Sequence, residues 1–347
     1  MHGFLVVSDL LDAEMLQEIV TAGDNFLDQT NKMESYFASI EMGMIFQAGS
    51  QVNRTITQPF RKVALESRLP DAAAELMRLE PTESIRVLRD VFMSKDINID
   101  ETCDWHVDDV GFWPEAFDSV KEGINAWIAL DDMPREFQGS MALSPGSHKA
   151  EWRHDAYAAI GLNLTFQGGF TKEEVTQMAK EGAKLLTTCE MKTQAPDLRE
   201  TIEATKFVPD IRKGDVIFAT RSTFHRTIPA TLLGKRHYQE GGIRYLNRYS
   251  VRYVPGAARL PHGWTFEWSI KNNPDNSGLD LDSAMEEREN LLWYPKVWPS
   301  LDPQIHQRLD LLAGSVLEDM KAQTKRDLYE LFALFFPSSE EQPHHNN

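Results

Sequence analysis

The chain has 347 residues, 36 Lys+Arg against 53 Asp+Glu, and a formal net charge of −17. That balance excludes a nucleic-acid surface, which needs clustered Lys and Arg, and argues against an anionic membrane. No run of about 18 apolar residues exists to span a bilayer, and the start Met1-His2-Gly3-Phe4-Leu5-Val6-Val7 lacks the basic flank of a secretion signal. Two cysteines, Cys103 and Cys189, are too few for a disulfide framework, so a reduced, cytoplasmic protein is expected. The sequons at Asn53 and Asn163 carry no weight without secretion.

In chain order, Phe4 to Val7 reads as a short strand. Ala13 to Asp28 reads as a helix capped by Asp12, with Met15, Leu16, Ile19, Val20, Phe26 and Leu27 on one face. A second helix is expected over Asp71 to Leu79. The middle of the chain changes character. Val87–Lys95, Ile124–Leu130, Ser140–Leu143, Asp215–Thr220 and Arg244–Val254 are short runs rich in β-branched and aromatic residues. Pro114, Pro134, Gly139, Pro145-Gly146, Gly214, Gly241-Gly242 and Pro255-Gly256 punctuate them, which favours a sandwich or barrel over a doubly wound sheet. Ala150 to Pro209 reads as an insertion, helical over Thr171 to Leu186. Asp302-Pro303 opens a last helix with an apolar stripe from Ile305 to Met320. Leu328 to Phe336 continues it, and residues 338–347 read as a loose tail.

The chemistry concentrates at Trp105-His106-Val107-Asp108-Asp109. In extended backbone, residues i and i+2 face the same side, so His106 and Asp108 would present an imidazole and a carboxylate together. A two-His, one-carboxylate facial triad leaves open positions on Fe(II), so a second histidine is required. Of the ten histidines, most lie at termini, in charged loops or on helices. His225 stands apart because it follows a tight turn and an apolar strand, Lys213 to Thr220. Arg244, Arg248, Ser250 and Arg252 fall on one face of a further strand, where a guanidinium and a hydroxyl suit a buried carboxylate. The bland readings are a hydrogen-bonded rim histidine and a solvated arginine-rich edge. Cys103 with His106 could begin a zinc site, but no matching second half follows.

The order of Trp-His-x-Asp, Trp127-x-x-Leu130-Asp131-Asp132, Pro145-Gly146-Ser147-His148, Gly214-Asp215, a distal histidine and Arg248-x-Ser250 resembles the phytanoyl-CoA dioxygenase-like family, from about Gly3 to Leu260. The resemblance implies a mainly β fold with flanking helices. Its core is a double-stranded β-helix, a cupin-like jelly roll, over about residues 85–260, interrupted by the insertion at about 150–209. A single domain is expected over 1–337, with a C-terminal helical extension at about 301–336.

It further implies an Fe(II)- and 2-oxoglutarate-dependent dioxygenase using O2, with His106, Asp108 and His225 as metal ligands. Trp127 and Lys95 would help bound the cosubstrate, and Arg248 with Ser250 would hold its distal carboxylate. Arg244 is the alternative, because Gly234 to Gly242 reads as extra loop between His225 and the arginine. The intact Asp108 favours hydroxylation or a related oxidation over halogenation. Trp105, Phe112 and Trp113 could line an apolar pocket, and Arg221 or Arg226 could meet an anionic group on a small-molecule substrate. A metal-binding jelly roll without 2-oxoglutarate, or a silent binding protein, are the competing readings. Inward-facing arginines would count against the first.

Overall fold

In the computed structural model, described residues are 2–30, 38–39, 44–46, 58–100, 102–107, 123–149, 191–258, 282, 295–301 and 303–307. Strand β1 (Phe4–Val7) leads into helix α1 (Ala13–Thr30). Asp12 caps α1, its carboxylate accepting the amide of Met15 at 2.7 Å. Ile19 and Ala22 are buried on its inner face, with Met15, Leu16 and Val20 packed beside them. Gly23 lets the helix approach the sheet: a Cβ there would lie 2.6 Å from Phe92 Cε2.

Two strands, β2 (Ala38–Ser39) and β3 (Met44–Phe46), precede α2 (Gln58–Glu66), a helix the sequence pattern did not suggest. Next is α3 (Leu69–Leu76), which starts and ends earlier than the expected Asp71–Leu79 because proline sits in its first turn. The long strand β4 (Ile85–Asp96), β5 (Ile124–Ala129), β7 (Val216–Thr220), β9 (Tyr245–Pro255) and β10 (Lys296–Trp298) complete one sheet. Its order is β1-β7-β5-β9-β4-β3-β2, with β10 also on β4, and its pairings are antiparallel. A second, smaller antiparallel sheet pairs β6 (Met141–Leu143) with β8 (His225–Thr227). Single bridges extend it on both sides, His106 to His225 and Leu143 to Phe207.

The two faces of the large sheet have different partners. Tyr249, Val251 and Tyr253 of β9 pack with α1, α2 and α3, and the Tyr253 hydroxyl donates to the carbonyl of Ala64 at 2.9 Å. The opposite face of β9 carries Leu246, Arg248, Ser250 and Arg252 at alternate positions. There Leu246, Trp127, Ala129 and Ile217 from the large sheet meet Met141 and Leu143 from the small one. This antiparallel, mainly β arrangement with helices on one side is the expected jelly-roll architecture.

One expectation is corrected. Gly234 to Gly242 is not loop: helix α6 (Leu232–Glu240) occupies it, and the Thr231 hydroxyl accepts the Gly234 amide at 2.9 Å to cap it. His237 is therefore helical. His225 lies past the end of β7, as expected, and opens β8. Within the insertion, helices α4 (Met191–Gln194) and α5 (Pro196–Thr205) are described, whereas Thr171 to Leu186 lies outside the described residues. So do Asp302, most of the stripe that follows Ile305, and the tail; Ile305 is buried in the main core.

Candidate active site

His106 and His225 face each other across the single backbone bridge at the edge of the small sheet. His106 N–H donates to the His225 carbonyl at 3.0 Å, and His225 N–H returns the bond at 2.9 Å. The ring centroids are 4.4 Å apart, at an interplanar angle of 54°. Each ring is oriented by its own backbone. His106 Nδ1 lies 2.8 Å from the carbonyl oxygen of Asp104, and His225 Nδ1 lies 2.9 Å from that of Thr223. A carbonyl only accepts, so both neutral rings carry their proton on Nδ1 and their lone pair on Nε2. This is the tautomer that ligates a metal through Nε2, with a backbone carbonyl as outer partner.

The segment before His225 is clamped by the Pro145-Gly146-Ser147 turn. Buried Ser147 donates to the Ser144 carbonyl at 2.8 Å and accepts the Phe224 amide at 2.9 Å. The Ser144 amide donates to the Phe224 carbonyl at 2.9 Å. The motif therefore acts through its serine, which sequence reading treated only as part of a turn.

Arg248 projects from the large sheet between the layers and is 2% exposed. Its Nη2 donates to Thr227 Oγ1 at 3.3 Å, which ties it to the small sheet. His225 and Thr227 sit two apart on β8 and so share a face, about 6.7 Å apart along the strand at the usual rise. Burial pushes the Arg248 guanidinium down to about 10, so it remains a cation at neutral pH. Thr227 was missed by the sequence reading; the signal was its position two residues after the histidine.

Trp127 is 3% exposed and pairs across β5 and β9 with Ser250. The Ser250 hydroxyl donates to Asn125 Oδ1 at 2.6 Å. Buried Lys95 stands opposite Leu246 on the same face and donates to the carbonyl of Ile99 at 2.6 Å. The structure does not bring Arg244 to this group. Its side chain is 68% exposed and paired with Asp96 at 3.1 Å, which raises its pKa. Arg252 is buried, opposite Asn125.

Asp108, Phe112 and Trp113 lie outside the described residues, and among the described residues no group of three His, Cys, Asp or Glu side chains converges on one point. Trp105 does not line an open pocket: it is fully buried, and its indole Nε1 donates to Glu203 at 2.9 Å. Arg226 is bound to the same carboxylate at 2.8 Å. Cys103 is disulfide-bonded rather than a free thiol and supplies no thiolate for a zinc site. Its Sγ lies 3.3 Å from His106 Nδ1.

Two layers of antiparallel strands with a paired-imidazole rim define a jelly-roll protein. The model of the phytanoyl-CoA dioxygenase (PhyH) family matches residues 1–237, and the chain belongs to that family, whose members use Fe(II), 2-oxoglutarate and O2. Among solved structures it is similar to SnoK, a non-haem α-ketoglutarate-dependent carbocyclase from nogalamycin biosynthesis. That match has a TM-score of 0.55 and 17% identity, over 85% of this chain and 92% of SnoK. EctD from S. alaskensis with bound Fe matches at 0.48 and 14%, over 81% and 83% of the two chains. HygX from Streptomyces hygroscopicus with nickel and 2-oxoglutarate bound matches at 0.44 and 15%, over 80% and 92%. No curated protein sequence matches. At these identities the likeness to SnoK speaks for the fold.

Proposed function

We propose that this protein hydroxylates, or otherwise oxidises, a small-molecule metabolite in an Fe(II)- and 2-oxoglutarate-dependent reaction that releases succinate and CO2. The observation that carries this reading is the bridged histidine pair, both rings set to offer Nε2, with a buried guanidinium bonded two residues along the same strand. His106 and His225 would hold the metal with Asp108, which stands two residues after His106 in the sequence.

When bound, the iron supplies O2 activation coupled to oxidative decarboxylation of 2-oxoglutarate. The chain's own part is orientation. Arg248 would receive the distal carboxylate as a bidentate ion pair, and the Thr227 hydroxyl, which accepts from Arg248, keeps its own proton to donate. Trp127 and the apolar cluster around it would exclude water from the cosubstrate. Ser250 and Lys95 line the same face, their polar atoms already directed to Asn125 and Ile99. Arg244 is the poorer clamp because it is exposed and paired with Asp96. The burial of Arg248 and Arg252 likewise favours this reading over a metal site without cosubstrate. Net charge of −17 supports a small molecule rather than nucleic acid or an anionic membrane as partner.

The test is succinate formation by anaerobically purified protein given Fe(II), 2-oxoglutarate, ascorbate and O2. Iron-dependent succinate that disappears in His225→Ala is expected. No succinate, together with no 2-oxoglutarate binding under Mn(II) by calorimetry, overturns the proposal.

A further inference from the structure

The two histidine segments come from distant parts of the chain, 119 residues apart, and between them runs one bridge of two backbone hydrogen bonds. One carboxylate outside the bridge touches both segments. Glu203 Oε2 accepts from Trp105 Nε1 at 2.9 Å, and Trp105 immediately precedes His106. Glu203 Oε1 accepts from Arg226 Nη2 at 2.8 Å, and Arg226 immediately follows His225. The Arg226 guanidinium also stands over the Trp105 ring, 5.6 Å from its centroid, which closes a three-membered contact.

Helix α5 supplies a second tie at the position one turn earlier. Arg199 Nε binds Asp104 Oδ2 at 2.7 Å, and the Asp104 carbonyl is the acceptor that orients the His106 ring. Residues 199 and 203 are i, i+4 on one helix face, so α5 grips the two residues before His106 and the one after His225 at once. Below it, Ile202 packs with Trp105, Val107, Phe224 and Ile228. Glu203 is thoroughly committed to this role: Lys206, Trp105 and Arg226 outweigh its burial and hold its carboxyl at about 2.

We infer that Glu203 is a positioning residue, a carboxylate strut that fixes the separation and tilt of the His106 and His225 imidazoles. The inference rests on the metal-binding reading above and adds the residue that pre-arranges the pair. Groups bonded directly to metal-bound histidines change metal affinity by about 10–100-fold; Glu203 stands one step further out, bonded to the chain neighbours of both.

The experiment measures Mn(II) affinity, by loss of the free-ion EPR signal, for full-length wild type, Glu203→Ala, Glu203→Gln, Lys206→Ala and His225→Ala, alongside thermal melting of each apo-protein. The expected result is a dissociation constant raised severalfold, up to about 10-fold, in Glu203→Ala. Glu203→Gln should fall between it and wild type, since one oxygen is kept while the amide faces a donor. Lys206→Ala, which touches Glu203 but neither histidine segment, should bind within about twofold of wild type. Mn(II) affinity within twofold of wild type in a folded Glu203→Ala overturns the inference, because a merely structural role would shift melting alone. If Glu203→Ala does not fold, Arg226→Met keeps an unbranched apolar stem and removes the guanidinium bonded to Glu203. A severalfold weaker affinity there supports the strut, and unchanged affinity overturns it. Wild type binding no better than His225→Ala would instead sink the metal-site reading, and this inference with it.

Discussion

Arg248 offers the sharpest test of how the site is built, because its two effects should separate. Burial lowers its pKa from 12.5 to about 10. At about 1.4 kcal/mol per tenfold change in proton affinity, that is roughly 3 kcal/mol of unfavourable cation burial. At pH 7 the group is charged folded and unfolded, so the cost is fully present. Arg248→Met keeps an unbranched apolar stem and removes the charge. It also removes the bond to Thr227 at 3.3 Å, a charged donor at long range that contributes about 1 kcal/mol. The apo variant should therefore be unchanged or up to about 2 kcal/mol more stable than wild type.

The cosubstrate should reverse the order. In wild type with Mn(II), 2-oxoglutarate at 100 times its Kd stabilises by about 2.7 kcal/mol. Losing the charged partner of a buried carboxylate costs about 2–5 kcal/mol, so at the same concentration the variant's ligand shift should fall below about 1 kcal/mol. Urea unfolding with and without 2-oxoglutarate reads both numbers, and Arg248→Lys should lie between, keeping the charge without the planar fork. An apo Arg248→Met destabilised by more than about 2 kcal/mol that still gains the full ligand shift would refute the clamp.

Two further outcomes concern half-buried Asp131 and buried Ser147. Asp131 is pushed up to about 6, chiefly by burial, while its Oδ2 accepts the Asn247 amide at 2.7 Å. A raised carboxyl favours the fold when protonated, so its contribution is lost as pH rises from about 4 to about 6. Asp131→Asn keeps an acceptor and should be more stable than wild type by up to about 3 kcal/mol at pH 8 and about half that at pH 5. Equal effects at both values in urea titrations would contradict the burial argument. Ser147→Ala should cost about 1–3 kcal/mol, because it leaves the buried Phe224 amide without its acceptor. A loss below about 0.5 kcal/mol would show that the turn holds β8 without its serine.

The strands were readable from β-branched and aromatic runs between turn signals, and in β9, buried on both faces, polar residues recur with period two. Arg248 and Ser250 could be placed on one face of β9 for that reason. Arg244 could not be excluded from the sequence, since parity puts it on the same face; it falls outside because β9 begins at Tyr245 and Asp96 draws its side chain to solvent. Helix α6 was hidden by Gly234 within it and Gly241-Gly242 after it, although Thr231 was a legible cap. Gly234 is tolerated there because the backbone of Phe137 approaches it closely. Beyond its local ion pair to Lys206, Glu203 gave no sign of its tie to the site: Trp105 is 98 residues before it and Arg226 23 after it.

What ties these observations together is the division of the site between the two sheets. The large sheet contributes a guanidinium held from β9, and the small sheet contributes the imidazoles and Thr227. Neither layer holds a complete site, and the bond from Arg248 to Thr227 is a polar contact that joins them. The geometry then depends on the register of β8. Leu143 stands opposite His225 and Met141 opposite Thr227, with the side chains of that pair of β6 residues in the inner apolar cluster. A slip of one residue would turn Arg226 inward and send both His225 and Thr227 to the other face. Four contacts oppose such a slip: the His106 bridge, the Ser144 and Ser147 bonds to Phe224, the Glu203 bond to Arg226, and the Arg248 bond to Thr227. They fall on successive residues from Phe224 to Thr227. A strand of three residues has little pairing energy of its own, so side chains from elsewhere in the fold supply the precision that its length does not.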